Sequence, residues 1–333
     1  MQIPDTGPVL QICKLKPNYY KSFAHLHICI FAHFHILSMF ELFKIELYKI
    51  FRKPRTYISF IAIFMVVGLL QIAFVTDGKT LSDLLFSGLK DMFQFDGGNL
   101  INGYFVCYMI LNTLLIQVPL LVALVAGDLI SGEANMGTLR LLLTKPISRQ
   151  KIIMAKFAAS IVYTFLVLVW MALISLFLSV FIFGRDDLII GKSFALVHLV
   201  VDNSGDDIFW RYLCGFGLAF LALSTVAALA FMLSVFAENS IGPIVSTMSI
   251  IIVFTIISTM DMPLFQKINP FLFTSYMTAW KGFFNMASND DGGIRGSIYS
   301  LPAILKAAGI LIGHIVVFVG IAMYSFKKKD ILS

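Results

Sequence analysis

The chain has 333 residues, 59% hydrophobic and only 13% charged, with a mean hydropathy of +0.88 and a formal net charge of +6. A soluble globule carries about a quarter charged residues, so that class is excluded. No basic stripe is interleaved with aromatics in the way single-strand binding needs, so the positive charge reads as loop bias and nucleic acid is not expected as a partner.

Residues 1–38 differ in character from the rest of the chain. They hold His25, His27, His33 and His35 of the six histidines, with Cys13 and Cys29. An extended strand would put each H-x-H pair on one face, but no acidic residue lies among them to orient the rings. The apolar run is broken by histidines and lacks a small-residue cleavage site, so it does not read as a signal peptide. We therefore expect 1–38 to be a non-native or disordered extension, with the structural unit over 39–333. The other cysteines, Cys107 and Cys214, give no disulfide framework and no zinc spacing, and no metal site is expected.

From Met39 to Arg55 the chain is amphipathic. Phe40, Phe43, Leu47 and Ile50 line one side, and Glu41, Lys44, Lys49 and Arg52 populate the rest, as in a helix lying in a membrane interface. Pro54 ends it. Six apolar runs come next, over about 57–75, 104–126, 157–183, 213–236, 243–260 and 303–326, each long enough for about 30 Å of hydrocarbon. The expected fold is thus an all-α integral membrane protein of six transmembrane helices, in contact with membrane lipids. Lysine and arginine crowd beside 44–55, 140–156 and 327–329, while the opposite loops spread theirs over far more chain among aspartates. By that asymmetry both termini face the cytoplasm.

The opposite loops carry a short amphipathic helix over 80–93, opened by Thr80 and Asp83, and a break at Asn269, Pro270 and Phe271. A helical stretch over 275–287 precedes a turn at 289–293. Residues 237–242 make a short hairpin whose Glu238 is a candidate second contact for a cytoplasmic partner. The spans hold few ionisable groups, His314 being the clearest, which argues against an ion-coupled carrier. Gly309 and Gly313 form a G-x-x-x-G suited to close helix packing.

Residues 127–156 interrupt the apolar pattern on the basic side. A helix is expected from Glu133 to about Thr144, because Pro146 disfavours helix at the residue before it. Leu139, Leu142 and Leu143 share one side of it, and a second helix starts at Ser148 and enters the third span. The order Glu133, Gly137-Thr138-Leu139, Leu142-Leu143, Pro146, Arg149, Lys156 resembles the cytoplasmic loop of ABC-2 type transporter permeases, and the basic end at Lys327–Lys329 resembles the family's finish. The resemblance spans nearly all of 39–333. It implies the membrane subunit of an ABC exporter in the cytoplasmic membrane, paired with itself or a sister permease. The segment between spans two and three would be the coupling helix, against which a separate ATPase docks. Glu133 and Arg149 would make polar contacts with that ATPase, Gly137, next to Thr138 of the motif, would permit close approach, and Leu139 and Leu142 would fill its groove. Pro146 and Lys156 complete the motif.

ATP and magnesium belong, on this reading, to the partner chain. Gly78-Lys79-Thr80 and Gly191-Lys192-Ser193 end like phosphate-binding loops, but the earlier glycine each requires is Ala73 and Asp186. No cofactor is expected in this chain. Neither H-E-x-x-H nor G-x-S-x-G occurs, so the chain is read as a transporter subunit rather than an enzyme. An ATP-independent carrier or channel is the next reading, and a membrane-bound enzyme the one after.

Overall fold

The computed structural model describes residues 39–86, 103–144, 147–184, 206–260, 262–284, 287–288, 294–295 and 301–329. Residues 1–38, with the cysteines and histidines they carry, lie outside these, as do Lys145, Pro146 and the turn at 289–293.

The described chain is helical apart from one two-residue antiparallel pair, Ala287–Ser288 with Ile294–Arg295. In order the helices are α1 Met39–Arg52, α2 Pro54–Phe86, α3 Gly103–Ala126, α4 Asp128–Asn135, α5 Thr138–Leu143, α6 Arg149–Ala172, α7 Ser179–Phe183, α8 Asp206–Phe236, α9 Ile241–Thr259, α10 Pro263–Ile268 and α11 Leu301–Lys328. Five segments are long and apolar enough to cross a membrane: Pro54–Gly78, Arg149–Phe183, Phe209–Phe236, Ile241–Thr259 and Leu301–Lys328. The chain is a multi-pass membrane protein. A further segment, α3, passes the same test only when its two pieces, Gly103–Leu114 and Gln117–Ala126, bent by 50°, are taken together. Pro119 accounts for the bend: it lacks the N–H that would bond four residues back, and its ring crowds that carbonyl.

One helix is central. The apolar window of α8 is 78% buried, against 17–33% for the other four, and α3, α6, α9 and α11 all pack on it. The sequence explains the crowding: Ala219, Ala222, Ala227, Ala228 and Ala230 are all buried and let neighbours approach closely. The α10 helix ends at the expected break, where Asn269–Phe271 forms a 3-10 turn, and two further 3-10 turns, Phe273–Tyr276 and Ala279–Phe284, stand where a helical stretch over 275–287 was expected. The helix expected over 80–93 has a counterpart as far as the described residues reach: α2 breaks at Asp77 (φ −120°, ψ 19°), the spanning part ends at Gly78, and a second helical piece runs to Phe86; residues 87–93 lie outside the described set.

Between α6 and α7 the third span passes through a π-helical turn, Leu173–Leu178. There Ser175 Oγ donates to the Met171 carbonyl at 2.6 Å, inside the core. The wide turn carries α7 against the start of α3, where the Gly103 N–H donates to the Gly184 carbonyl at 3.1 Å. A Cβ on Gly103 would lie 2.5 Å from the Val180 Cα and 2.7 Å from the Gly184 oxygen, both backbone atoms unable to swing away.

Gly103→Ala is therefore expected to lower the thermal unfolding midpoint in detergent, at an overpacking cost of about 1–3 kcal/mol. Gly68→Ala, where a Cβ would meet nothing within 4 Å, should leave the midpoint unchanged or raise it.

Candidate functional site

The hairpin between α3 and α6 is two short helices, not one. α4 continues from α3 after Gly127, and Gly127 lets α9 approach: a Cβ there would be 3.2 Å from Ile244 and 3.4 Å from Pro243. The first turn of α4 is closed from a distance, because Ser234 Oγ of α8 accepts the backbone N–H groups of Ile130 (3.2 Å) and Ser131 (2.9 Å). α4 ends where Gly137 takes φ +71°, the left-handed region that glycine occupies without strain. Glu133 thus lies near the end of a helix rather than opening one, and Gly137 is the joint between α4 and α5. The other expected boundaries hold, with α5 closing at Thr144 and α6 opening after Ser148.

Beneath the hairpin four charges form a closed ring. Lys156 Nζ of α6 lies 2.7 Å from Glu46 Oε2 of α1 and 2.8 Å from Glu133 Oε2 of α4. Lys49 Nζ of α1 lies 2.8 Å from Glu46 Oε1 and 3.0 Å from Glu133 Oε1. Each lysine meets both glutamates, and each glutamate spends one oxygen on each lysine. The Lys156 and Glu46 side chains are both 1% exposed, and the ring is neutral. Next to it, Asp128 of α4 takes Lys53 and Arg55, each at 2.7 Å, on its two oxygens. α1, the start of α2, α4 and α6 are bound together by these contacts.

Burial pulls the Glu133 carboxyl upward, but Lys156 and Lys49 outweigh it and hold the group below its ordinary 4.5. For Lys49 burial pulls downward, and Glu46 and Glu133 overcome it, so the ammonium sits above its ordinary 10.5.

Not all the motif residues face the same way. Glu133 and Lys156 are buried in the ring, and Leu139 is 2% exposed in the main core. Leu142 and Leu143 are half-buried against Leu42, Ile152 and Ala155. The leucine face expected to meet a partner is turned inward, onto α1 and α6. Gly137, Thr138, Arg140 and Leu141 are exposed, with Met136 just before them. Arg149 is half-buried and spans the ends of two helices: its Nη1 donates to the carbonyls of Lys327 (3.2 Å) and Lys329 (2.8 Å), which the last turn of α11 leaves without helical donors. Lys329 in turn donates to the Val235 carbonyl at the end of α8, at 2.8 Å. Glu238 lies exposed in the turn between α8 and α9, and Pro146 is outside the described residues. Among the described residues Gly309 and Gly313 make no close contact, since a Cβ on either would meet nothing within 4 Å.

A family model for "ABC-2 family transporter protein" matches residues 40–331. The chain belongs to the ABC-2 transporter family. It is therefore a membrane component of a transporter. It is also 30% identical over 121 residues to "Uncharacterized protein YhcI" of Bacillus subtilis (strain 168), a match covering 35% of this chain and 37% of the relative's length.

Sequence reasoning named Glu133 and Lys156 but missed Glu46, Asp128 and Arg211. Glu46 had a signal: its i−4 and i+4 neighbours, Leu42 and Ile50, are both buried core residues. Arg211, 1% exposed, sits in the spanning part of α8 and donates to the Phe283 carbonyl at 2.9 Å.

Lys156→Met would strand two buried carboxylates, with an expected loss of about 3–5 kcal/mol. Adding Glu46→Leu should restore part of it, and a double-mutant cycle on unfolding midpoints measures the coupling. The pH dependence has two limbs. Stability due to Glu133 is complete above pH 4.5 and lost as pH falls through its lowered folded value; that due to Lys49 is complete below 10.5 and lost as pH rises through its raised one. The midpoint should be flat between these limits, and Glu133→Gln should flatten the acid limb.

Proposed function

We propose that this chain is the membrane-spanning permease subunit of an ATP-driven ABC exporter in the cytoplasmic membrane, and that its α4–α5 hairpin receives the motion of a separate cytoplasmic ATPase. The observation that carries the reading is the division of the hairpin into two faces. Met136 and Leu141, 60% and 69% exposed, project from the bundle with Arg140 beside them. The opposite face is tied by the charge ring to α1 and α6 and by Ser234 to α8. A push on the outer face therefore moves the interfacial helix and the third span together.

In this scheme the coupling residues divide by task. Gly137, Thr138 and the exposed Arg140 and Leu141 meet the ATPase, with Pro146 following them and Glu238 as a second contact. Glu133, Leu139, Leu142, Arg149 and Lys156 hold the hairpin to the bundle. The ATPase binds ATP and magnesium and supplies the hydrolysis; this chain supplies the pathway. With α3 counted as one bent span there are six, and both termini lie on the cytoplasmic side with the hairpin.

A second copy, or a sister permease, would complete the pathway. A cavity of about 300 Å³ opens between α2, α3 and α9, lined by Ala62, Val66, Leu114, Gln117 and Met248 among others. Beside it α9 leaves Val245, Ile252, Val253 and Ile256 more than half exposed, and Gly309 and Gly313 leave an open face on α11. These surfaces suit another span rather than water.

The test is co-purification from native membranes in mild detergent. The tagged protein should bring down an ATPase whose activity is lost in Met136→Glu/Leu141→Glu while the unfolding midpoint stays that of the parent. Glu133→Arg should lower the midpoint as well. ATPase retained at parental levels in the surface variant, with transport intact, would reject the hairpin as the docking site.

A further inference from the structure

Three exposed aromatic side chains each carry a cation one helical turn farther on. In α1, Lys44 Nζ lies 4.5 Å from the centroid of the Phe40 ring, and Arg52 Cζ 5.5 Å from that of Tyr48. In the last turn of α11, Lys328 Nζ lies 4.4 Å from the Tyr324 ring. The rings are 61%, 62% and 62% exposed, so the pairs are surface features rather than core packing. All three sit at the end of the bundle that holds the charge ring. Arg149 fastens the end of α11 to the start of α6, and Lys156 fastens α6 to α1.

The charge balance selects the partner. On the inner face of α1, Glu46 and Lys49 are neutralised within the ring. On the outer face Glu41 stands against Lys44 and Arg52, leaving a positive excess, and Lys327 and Lys328 add to it at the end of α11. An aromatic ring prefers the boundary between hydrocarbon and headgroups, and a long cationic side chain reaches from there to the phosphates. A soluble anion would use the cations but leave the rings exposed; an apolar surface would use the rings and desolvate the cations.

We propose that the outer face of α1, with the Tyr324–Lys328 turn of α11, is a seat for anionic phospholipid headgroups. The inference rests on the reading of this end as the cytoplasmic membrane surface. Because the inner face of the same helix carries the ring, the lipid bound outside α1 adjoins the element that grips the coupling hairpin.

The test is native mass spectrometry of the full-length chain in detergent, titrated with phosphatidylglycerol or phosphatidylcholine. The parent should bind phosphatidylglycerol more tightly, and the preference should disappear in ~1 M salt, where screening acts over about 3 Å. Lys44→Gln/Arg52→Gln should weaken phosphatidylglycerol binding roughly fivefold for each cation, on the order of twentyfold together, and leave phosphatidylcholine binding unchanged. Lys44→Arg/Arg52→Lys keeps the charge and should keep the affinity, as should Lys306→Gln at the opposite end of α11. An absent preference in the parent, or equal losses for both lipids, would overturn the proposal. So would a double variant that keeps its lipid preference but loses ATPase co-purification, which would make the face a protein contact. The lipid titration needs no ATPase, so its failure leaves the permease reading standing.

Discussion

The structure depends on keeping four charged groups at the edge of an apolar bundle. Moving a carboxylate or an ammonium out of water costs several kcal/mol even after relaxation, and mutual attraction repays it only with good geometry and several partners. The ring meets both terms, because every member has two opposite charges between 2.7 and 3.0 Å away. No pair is self-sufficient. Removing one member leaves two others unbalanced, so α1, α4 and α6 hold their relative positions together or lose them together. A hydrophobic substitute would pack as well but would permit sliding; a ring of ion pairs has one register.

The same end of the bundle shows how the remaining polar groups are settled. Helices that stop at a membrane surface leave carbonyls without donors. Here the ends of α8 and α11 are closed by cations from elsewhere in the chain, Lys329 on Val235 and Arg149 on the last residues of α11. The positive charge also complements the negative end of each helix dipole. Basic residues read from sequence as topology signals therefore include structural ones. Ser234 does the converse at the start of α4, accepting two N–H groups with one hydroxyl oxygen. Together these contacts join the hairpin to the central helix without using its exposed face.

Much of the fold was legible because span length and hydropathy are local quantities. Five of the six apolar runs, the amphipathic helix that stops before Pro54 and the start of α6 after Ser148 fall where composition puts them. The hairpin was less legible. Treating Glu133–Thr144 as one helix used the leucine spacing but not the freedom of Gly137, whose φ of +71° breaks it. The leucine stripe looked like a partner face because an amphipathic segment has no way to announce which apolar surface it meets. Only the positions of α1 and α6 turn Leu142 and Leu143 inward. Glu46 was missed for a related reason: an acid among apolar neighbours reads as noise on an interfacial helix until Lys156, more than a hundred residues later, is seen opposite it.

The two faces of the hairpin impose different physical requirements, and the residues obey both. On the proposed coupling, a contact that forms and breaks on each cycle must be modest in area and tolerant of water, which suits the exposed Met136, Arg140 and Leu141. A contact that must not break has to be desolvated and satisfied, which suits Glu133 among two lysines. The joint at Gly137 lies on the exposed side of that division, one turn beyond Glu133. Because Leu139, Leu142 and Leu143 just beyond it pack into the bundle, Gly137 sets a fixed angle between α4 and α5, and exposed and anchored residues sit side by side on α5.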